Sequence, residues 1–267
     1  MKSWFISDIH LTDTHERNGN TLLRFLFYLN RNPQEHRLFL LGDIFDAWAS
    51  NGPAFTRHYK LIIDEIVKLK KSGGEVFYFE GNHDLHIDVF WTKKFNIPVI
   101  ENRKYFDIDG LRLRLEHGDF INPQDKTYLE YRQFVHRPLV EFLVHIVPSH
   151  FLKWLSESHS KKSRKKTSRY AIDNADQIRT QIRRYAEVAF AEAPFDLIVT
   201  GHMHIFDEYE FSVGSQKRVR SINLGTWLEK PRTLKIENGK IEIIDLDSFN
   251  FESGVPQIDL HHELVQY

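Results

Sequence analysis

Histidine, aspartate and asparagine recur in this sequence in short polar clusters, each at the carboxyl end of a segment with the pattern of a strand. The members of these clusters that can bind a metal ion are Asp8, His10, Asp43, Asn82, His117, His202 and His204. Imidazole nitrogens combined with carboxylate and amide oxygens, in a chain without cysteine, suit Mn, Fe, Zn, Ni or Mg. The residue types therefore predict a metal centre.

The spacing within the clusters supports this prediction. Asp8 and His10, like His202 and His204, are two positions apart, so both members of a pair can reach one centre from a strand end. A single histidine at a strand end is more often structural, but ordered clusters at successive strand ends favour a functional site. The set is too large for one tetrahedral ion and suits two ions that share a carboxylate. Two ions about 3.5–4 Å apart can hold a bridging hydroxide and bind phosphoryl oxygens, which predicts phosphoester hydrolysis.

The elements that would position these residues form an alternating pattern. The apolar runs 4–6, 38–41 and 76–79 are separated by segments with helical spacing at 21–30 and 59–71. This order predicts parallel strands with crossover helices, whose ligands gather beyond the carboxyl ends of the strands. Further strands are expected at 111–116 and 195–199, followed by antiparallel strands over 218–247.

The overall composition narrows the class of protein. Lys and Arg total 36 against 37 Asp and Glu, so the sequence does not favour nucleic acid as a partner. No apolar run approaches a membrane span or a signal peptide, and we expect a cytoplasmic protein. Nothing in the sequence indicates an obligate protein partner. The predicted domains are a core at 1–125 and 194–247, a helical insertion at 126–193 and a tail at 248–267.

The insertion combines apolar and basic features. Its apolar positions are Phe134, Leu139, Phe142, Leu143, Ile146, Phe151, Trp154 and Leu155. These side chains would either pack the insertion onto the core or line a groove for acyl chains. Its basic run contains Lys161, Lys162, Arg164, Lys165 and Lys166. This run is either a solvated surface or a site for a diphosphate or an anionic membrane surface.

The ordered motifs resemble the five signature blocks of the calcineurin-like metallophosphoesterases. The blocks are Asp8-Ile9-His10, Gly42-Asp43-Ile44-Phe45-Asp46, Gly81-Asn82-His83-Asp84, His117-Gly118-Asp119 and Gly201-His202-Met203-His204. The resemblance implies an α/β fold, a four-layer sandwich of two mixed sheets flanked by helices, here with a helical insertion or lid.

The same resemblance implies roles for individual residues. Asp8, His10 and His204 would bind one ion, and Asn82, His117 and His202 the other, with Asp43 bridging them. His83 and Asp84 would be catalytic. His83 would contact the phosphoryl oxygen and assist the leaving group, and Asp84 would orient its imidazole.

The start of the insertion is similar to that of the UDP-2,3-diacylglucosamine hydrolases, pyrophosphatases of lipid A biosynthesis. The similarity is carried by the Asp125-x-x-Tyr128 pair and the following helices. It implies attack by a metal-bridging hydroxide on a nucleotide-linked lipid, releasing UMP and a lipid phosphate. It favours two Mn²⁺ ions as cofactors, with Fe, Zn, Ni or Mg as alternatives, and peripheral contact with the cytoplasmic face of the inner membrane.

The substrate contacts expected from this similarity come from both the core and the insertion. They are Asn82, His83, Asp125, Tyr128, Lys161, Lys162, Arg164, Lys165 and Lys166. One departure is that those hydrolases have arginine at the position of His83, whereas the wider family has histidine. Alternative hypotheses are therefore an esterase for cyclic nucleotides or phosphoproteins, and a non-catalytic scaffold that binds a membrane or a partner.

Overall fold

The computed structural model describes residues 1–156, 158, 173–214 and 217–251. The basic run at 161–166 therefore lies outside the described residues. The strands are β1 (Lys2–Ile6), β2 (His36–Leu40), β3 (Glu75–Phe79), β4 (Val99–Ile100), β5 (Arg103–Ile108), β6 (Leu111–Glu116), β7 (Leu197–Thr200), β8 (Phe206–Val213), β9 (Lys217–Leu224), β10 (Arg232–Glu237) and β11 (Lys240–Asp245). The helices are α1 (Arg17–Leu29), α2 (Pro53–His58), α3 (Lys60–Lys71), α4 (Lys126–Val135), α5 (Pro138–Ile146), α6 (149–156 within the described range) and α7 (Ala175–Glu192).

The strands form two mixed sheets. The first has six strands in the order β11-β10-β1-β2-β3-β4, in which β1 to β4 are parallel and β10 and β11 are antiparallel. The second has five strands in the order β5-β6-β7-β9-β8, in which β6, β7 and β9 are parallel and the edge strands are antiparallel. The parallel strands predicted at 4–6, 38–41 and 76–79 are confirmed.

The two sheets pack face to face, and helices cover their outer faces. Phe5 and Phe39 stack at a centroid distance of 4.7 Å in the layer between the sheets, where they meet Leu113 and Ile222 of the second sheet. Apolar residues of α1 and α3 pack on the outer face of the first sheet. Helix α7 packs on the second through Ala186 and its neighbours. This is the predicted four-layer sandwich.

The second sheet differs in detail from the prediction. Strand β9 pairs in parallel with β7, although antiparallel strands were expected throughout 218–247. Its last residues are buried, as is typical of a strand covered on both sides. The edge strands β5 and β8 were not predicted, because their charged residues at exposed positions weaken the apolar signal.

The helical content predicted for 126–193 is observed over the described residues, but most of the large apolar side chains of α4 to α6 are not packed onto the core. Leu139 is 68% exposed, and Phe142 and Trp154 are each 61% exposed. The body is contacted instead by Val135, which is buried, and by Leu152, which packs against the main core. The interpretation that these apolar residues pack against the core is therefore wrong for most of them.

Helix α6 is also held at its start. The Ser149 Oγ atom accepts a hydrogen bond of 3.3 Å from the main-chain N–H of Ala54. Any Cβ atom at Gly52 would overlap the Ser149 side chain. Helix α7, by contrast, belongs to the body by its packing, so α4 to α6 are the part of the insertion that projects from it.

The buried residue His36 makes folding sensitive to acid. Trp4 Nε1 donates a 3.0 Å hydrogen bond to His36 Nδ1, which must therefore be unprotonated. Burial, assisted by the charge of Lys2, lowers the pKa of His36 to about 4. Because the unfolded chain binds this proton near pH 6.5, the contribution of His36 to stability is complete above pH 6.5 and is lost as the pH falls towards 4.

We expect the free energy of unfolding to fall by about 2 to 3 kcal/mol between pH 6.5 and 4 because of this residue. Urea unfolding at a series of pH values would measure the effect against His36→Gln, whose side chain can accept the Trp4 hydrogen bond without titrating. Equal pH slopes for the two proteins would contradict the prediction.

Candidate metal centre

The predicted ligands come together where the parallel strands of both sheets end. Asp8 and His10 follow β1, Asp43 follows β2 and Asn82 follows β3, all in the first sheet. The second sheet contributes His117 after β6, and His202 and His204 after β7. Because the sheets pack face to face, loops from both converge at one edge of the sandwich.

The first ligand group contains Asp8, His10, Asp43 and His204, whose candidate ligand atoms all lie within 4.8 Å of one another. The Nε2 atoms of His10 and His204 are 2.9 Å apart, and His204 Nε2 is 3.4 Å from Asp8 Oδ1. Ligand atoms about 2.1 Å from one ion are spaced about 3 to 4 Å apart. The first ligand group therefore has the spacing of a single-ion site.

The second ligand group contains Asn82, His117 and His202. Asn82 Oδ1 lies 2.9 Å from His202 Nδ1 and 3.3 Å from His117 Nε2. Asp43 connects the two groups, since its Oδ2 atom is 3.8 Å from His10 Nε2 and 3.6 Å from His117 Nε2. This intermediate position is the one expected of a carboxylate shared by two ions.

Backbone strain is concentrated at these ligands. Positive φ angles occur at Asp8 (49°), His10 (48°), Asp43 (53°), His202 (65°) and His204 (57°), although none is glycine. A residue in this conformation costs of order 1 kcal/mol or more, and such residues cluster at functional sites. The surrounding packing therefore holds these side chains in an arrangement that the local backbone does not favour.

The electrostatics of the site also fit bound cations. Asp8 and Asp43 are almost completely buried, and their carboxylates lie 4.0 and 3.8 Å from His10 Nε2. Burial opposes protonation of His117, but the carboxylates of Asp43, Asp119 and Asp8 outweigh it and raise its pKa to about 9. Buried carboxylates need a positive partner, and divalent ions bound by these N and O atoms would supply it.

His83 lies beside the first ligand group, with its ring centroid 4.8 Å from that of His10. Its Nδ1 atom is 2.8 Å from the main-chain oxygen of Asp46, and a hydrogen bond to this oxygen orients the ring and leaves Nε2 for a substrate oxygen. The prediction that Asp84 orients the His83 imidazole is therefore wrong. The motif alone cannot show this, because Asp84 is adjacent in sequence while Asp46 approaches only through folding.

Asp84 is hydrogen-bonded mainly to the backbone of the site. Its carboxylate accepts hydrogen bonds from the main-chain N–H groups of Asp43, Ile44 and Gly81 and from the Tyr78 hydroxyl. Burial and the nearby Asp43 carboxylate raise the pKa of Asp84 to about 6. Asp84 therefore supports the loop that presents Asp43.

The predicted substrate residues of the insertion have structural contacts of their own. The Asp125 carboxylate caps α4 by accepting a 3.0 Å hydrogen bond from the main-chain N–H of Tyr128. The Tyr128 hydroxyl donates to Asp119, and its ring lies 5.0 Å from the His202 ring. Tyr128 therefore contacts the second ligand group, whereas Asp125 caps the start of the helix.

Gly201, which the ligand prediction did not include although it lies within the Gly-His-Met-His block, packs closely against Asp8. A Cβ atom there would overlap Asp8 Oδ2 and lie 2.6 Å from Ser7 Oγ. We expect Gly201→Ala to displace the Asp8 carboxylate and lower both metal affinity and activity at least about tenfold. Metal titration and hydrolysis of an aryl phosphate would measure the loss.

The matched control is Gly110→Ala, which strains the backbone at φ 81° but has no heavy atom within 4 Å of the added methyl group. It should lose about 1 kcal/mol of stability and keep its metal affinity. Equal metal affinities in the two variants would contradict the proposed close packing of Asp8 on Gly201.

A two-sheet α/β sandwich with paired Asp/His groups at its strand ends is the arrangement of a metal-dependent phosphoesterase. The family model described as calcineurin-like phosphoesterase matches residues 1–206. The chain therefore belongs to the calcineurin-like phosphoesterases, which are metal-dependent hydrolases.

Curated relatives cover nearly the whole chain at low identity. The UDP-2,3-diacylglucosamine hydrolase of Salmonella paratyphi C is 26% identical over 248 residues, which cover 91% of this chain and 98% of that protein. The protein of the same name from Aliivibrio fischeri is 23% identical over 235 residues, covering 88% and 94%. Among solved structures, the phosphoesterase Yfce from E. coli aligns over 92% of this chain and 94% of its own, with 16% identity and a TM-score of 0.44.

Proposed function

We propose that this protein cleaves the pyrophosphate bond of UDP-2,3-diacylglucosamine, or of a closely related nucleotide-linked lipid, to give UMP and a lipid phosphate. The curated relatives support this substrate by their names and by matching the chain almost from end to end. The observation that carries the proposal is the exposed apolar surface of α4 to α6, in an insertion whose first helix contacts His202 through Tyr128.

The predicted ligands account for the hydrolytic step. Two divalent ions bound there, for which we propose Mn²⁺, would supply an activated water and neutralise the phosphoryl oxygens. The His83 ring lies beside the first ligand group, and its Nδ1 atom faces the Asp46 carbonyl, which leaves Nε2 for the substrate. In the imidazolium form, Nε2 would donate a proton to a phosphoryl or leaving-group oxygen.

Helix α4 faces the body next to the predicted metal centre. Asn82 and Leu85 of the body lie opposite Tyr128, Tyr131 and Arg132 of α4. A diphosphate bound at the metal centre would have its lipid portion towards α4. Beyond α4, the apolar residues of α5 and α6 are exposed and offer a surface for acyl chains.

We propose that the exposed apolar residues also contact the membrane that holds the lipid. Phe142, Ile146, Phe151 and Trp154 are all more than half exposed. Within the described residues, no helix is both long enough and apolar enough to cross a bilayer. Attachment through α5 and α6 would be peripheral, on the inner membrane surface, and the basic run at 161–166 would assist it on anionic lipids.

Release of UMP from UDP-2,3-diacylglucosamine in the presence of Mn²⁺ tests the substrate. We expect activity with the diacylated substrate and at least about a hundredfold less with the UDP-sugar lacking acyl chains, because only the former uses the apolar surface. Hydrolysis of aryl phosphates, cyclic nucleotides or phosphoproteins with none of the lipid substrate would favour another esterase of the family. Full metal occupancy with no hydrolysis would favour a scaffold.

Substitution of the exposed apolar residues tests the role of the insertion. We expect the double change Phe142→Ser and Trp154→Ser to raise KM for the lipid substrate about tenfold or more and to weaken binding to anionic vesicles. Hydrolysis of an aryl phosphate should be unchanged. Leu61→Ser, which alters an exposed apolar residue of α3, is the matched control. Equal KM values for the double variant and this control would contradict the proposal.

A further inference from the structure

Asp119 occupies a confined position next to the predicted metal centre. It follows His117 in the loop after β6 and is only 5% exposed. The preceding residue, Gly118, has a φ of 121°, and a Cβ atom there would lie 3.0 Å from the Gly201 carbonyl oxygen and 3.2 Å from His202 Cβ. The loop that carries Asp119 is therefore pressed against the loop that carries His202.

Two side chains of α4 converge on the Asp119 carboxylate. The Tyr128 hydroxyl donates a hydrogen bond to Oδ1, and Arg132 Nη1 lies 3.3 Å from Oδ2. The other guanidinium nitrogen of Arg132 donates to the main-chain oxygen of Glu101 at 2.8 Å and to Asn102 Oδ1 at 3.3 Å. Arg132 is itself buried, so these contacts fix one side of α4 to the body away from solvent.

The same carboxylate lies close to a predicted metal ligand. Asp119 Oδ1 is 3.9 Å from His202 Nδ1, and that nitrogen faces Asn82 Oδ1 at 2.9 Å. The Tyr128 ring, held by its hydroxyl on Asp119, packs against the His202 ring at 5.0 Å with an interplanar angle of 40°. His202 is therefore in contact with an aromatic residue of the insertion that depends on Asp119 for its position.

We propose that Asp119 is a positioning residue that couples helix α4 of the insertion to the second ligand group. It acts through Tyr128 and Arg132 on one side and through His202 on the other. This inference rests on the proposed function for the identity of the metal ligands. Its consequence is that occupation of the second ligand group orders α4, and that loosening α4 weakens metal binding at that group.

Manganese titration and hydrogen exchange of the full-length protein would test the coupling. The variants are Asp119→Asn and Tyr128→Phe, and the matched control is Glu130→Gln, the same kind of change as Asp119→Asn at an exposed position of α4. The Mn²⁺ equivalent that His202→Ala removes is assigned to the second ligand group. Exchange at residues 126–135 is followed by mass spectrometry with and without Mn²⁺, and thermal melting confirms that each variant is folded.

We expect Asp119→Asn to weaken the second equivalent about tenfold, as for partners that orient metal ligands, and to leave the first within about twofold. Exchange in α4 should become faster, and its protection by Mn²⁺ should be lost. We expect Tyr128→Phe to weaken the second equivalent and to speed exchange in α4 as well, but by less. If Asp119→Asn does not fold, Tyr128→Phe tests the coupling instead.

Two results would overturn the inference. In one, Asp119→Asn shows the same hydrogen exchange in α4 and the same affinity for the second Mn²⁺ equivalent as Glu130→Gln. In the other, the second equivalent weakens more than about a hundredfold, which would mark Asp119 as a direct ligand. A wild-type protein that binds two Mn²⁺ ions and shows the coupling but hydrolyses no phosphoester would disprove the proposed function alone.

Discussion

Replacing Asp43 with asparagine should reduce hydrolysis by at least about a thousandfold while leaving the fold intact. Asp43 is the side chain placed between the two ligand groups, with Oδ2 3.8 Å from His10 Nε2 and 3.6 Å from His117 Nε2. Loss of its charge weakens both ion sites, and stabilisation of phosphoryl charge by metal ions contributes several kcal/mol to such reactions.

The fold should survive for two reasons. Asparagine is one of the non-glycine residues that best tolerate the positive φ of 53° at this position. The amide oxygen can also still accept the 2.8 Å hydrogen bond that Asp43 Oδ1 receives from the His83 main-chain N–H. Circular dichroism melts and Mn²⁺ titration would therefore separate loss of metal from loss of structure.

Asp109→Asn is the matched control for this experiment. Asp109 has nearly the same backbone conformation, with a φ of 50°, and lies in an exposed turn before Gly110. The control should keep both metal ions and full activity. Retention of more than a tenth of wild-type activity by Asp43→Asn would argue against a shared carboxylate at this position.

His83→Ala should lower kcat by about 10²–10⁴-fold, the range typical for removal of a general acid, with both metal ions retained. The His83 ring lies 4.8 Å from the His10 ring, but His83 is not among the predicted ligands. The substitution removes a proton donor while the predicted ligands remain in place. We expect a smaller loss with aryl phosphates that carry a good leaving group, because these need less proton transfer.

His15→Ala is the control for removal of an imidazole, since His15 is exposed and lies outside both ligand groups. Steady-state kinetics with two aryl phosphates of different leaving-group pKa would show the dependence. If His83→Ala lost the same factor with both substrates, His83 would act on phosphoryl charge rather than on the leaving group. If the variant lost Mn²⁺, it would contradict the separation of His83 from the ligands.

The contacts of His83 and Asp84 show that a correctly recognised motif does not reveal which residues its side chains contact. Gly81-Asn82-His83-Asp84 suggests that the two adjacent residues form a pair. In the structure, the Asp84 carboxylate accepts main-chain hydrogen bonds from the Asp43 loop, while His83 uses the Asp46 carbonyl. Neighbouring side chains in a tight turn point in different directions, so their partners come from other parts of the chain.

The sequence by itself determined the strands that carry the predicted ligands and the residue types of the site. Short apolar runs ending in polar clusters predicted β1, β2, β3 and β7, because a strand buried by crossover helices needs a continuous apolar composition. Alternation of apolar and polar residues predicted β6. The spacing of Asp8 with His10 and of His202 with His204 predicted paired ligands, since alternate residues at a strand end share a face. These features depend on local periodicity and residue type.

Only the tertiary structure decided the features that depend on distant parts of the chain. The parallel pairing of β9 with β7 and the contact between the His83 ring and the Asp46 carbonyl arise from packing of separate segments. The exposure of Phe142 and Trp154 likewise could not be inferred from their apolar character, because the same periodicity suits a buried or an uncovered face. Partners far apart in sequence are chosen by the packing of the whole chain, and local patterns carry no information about that choice.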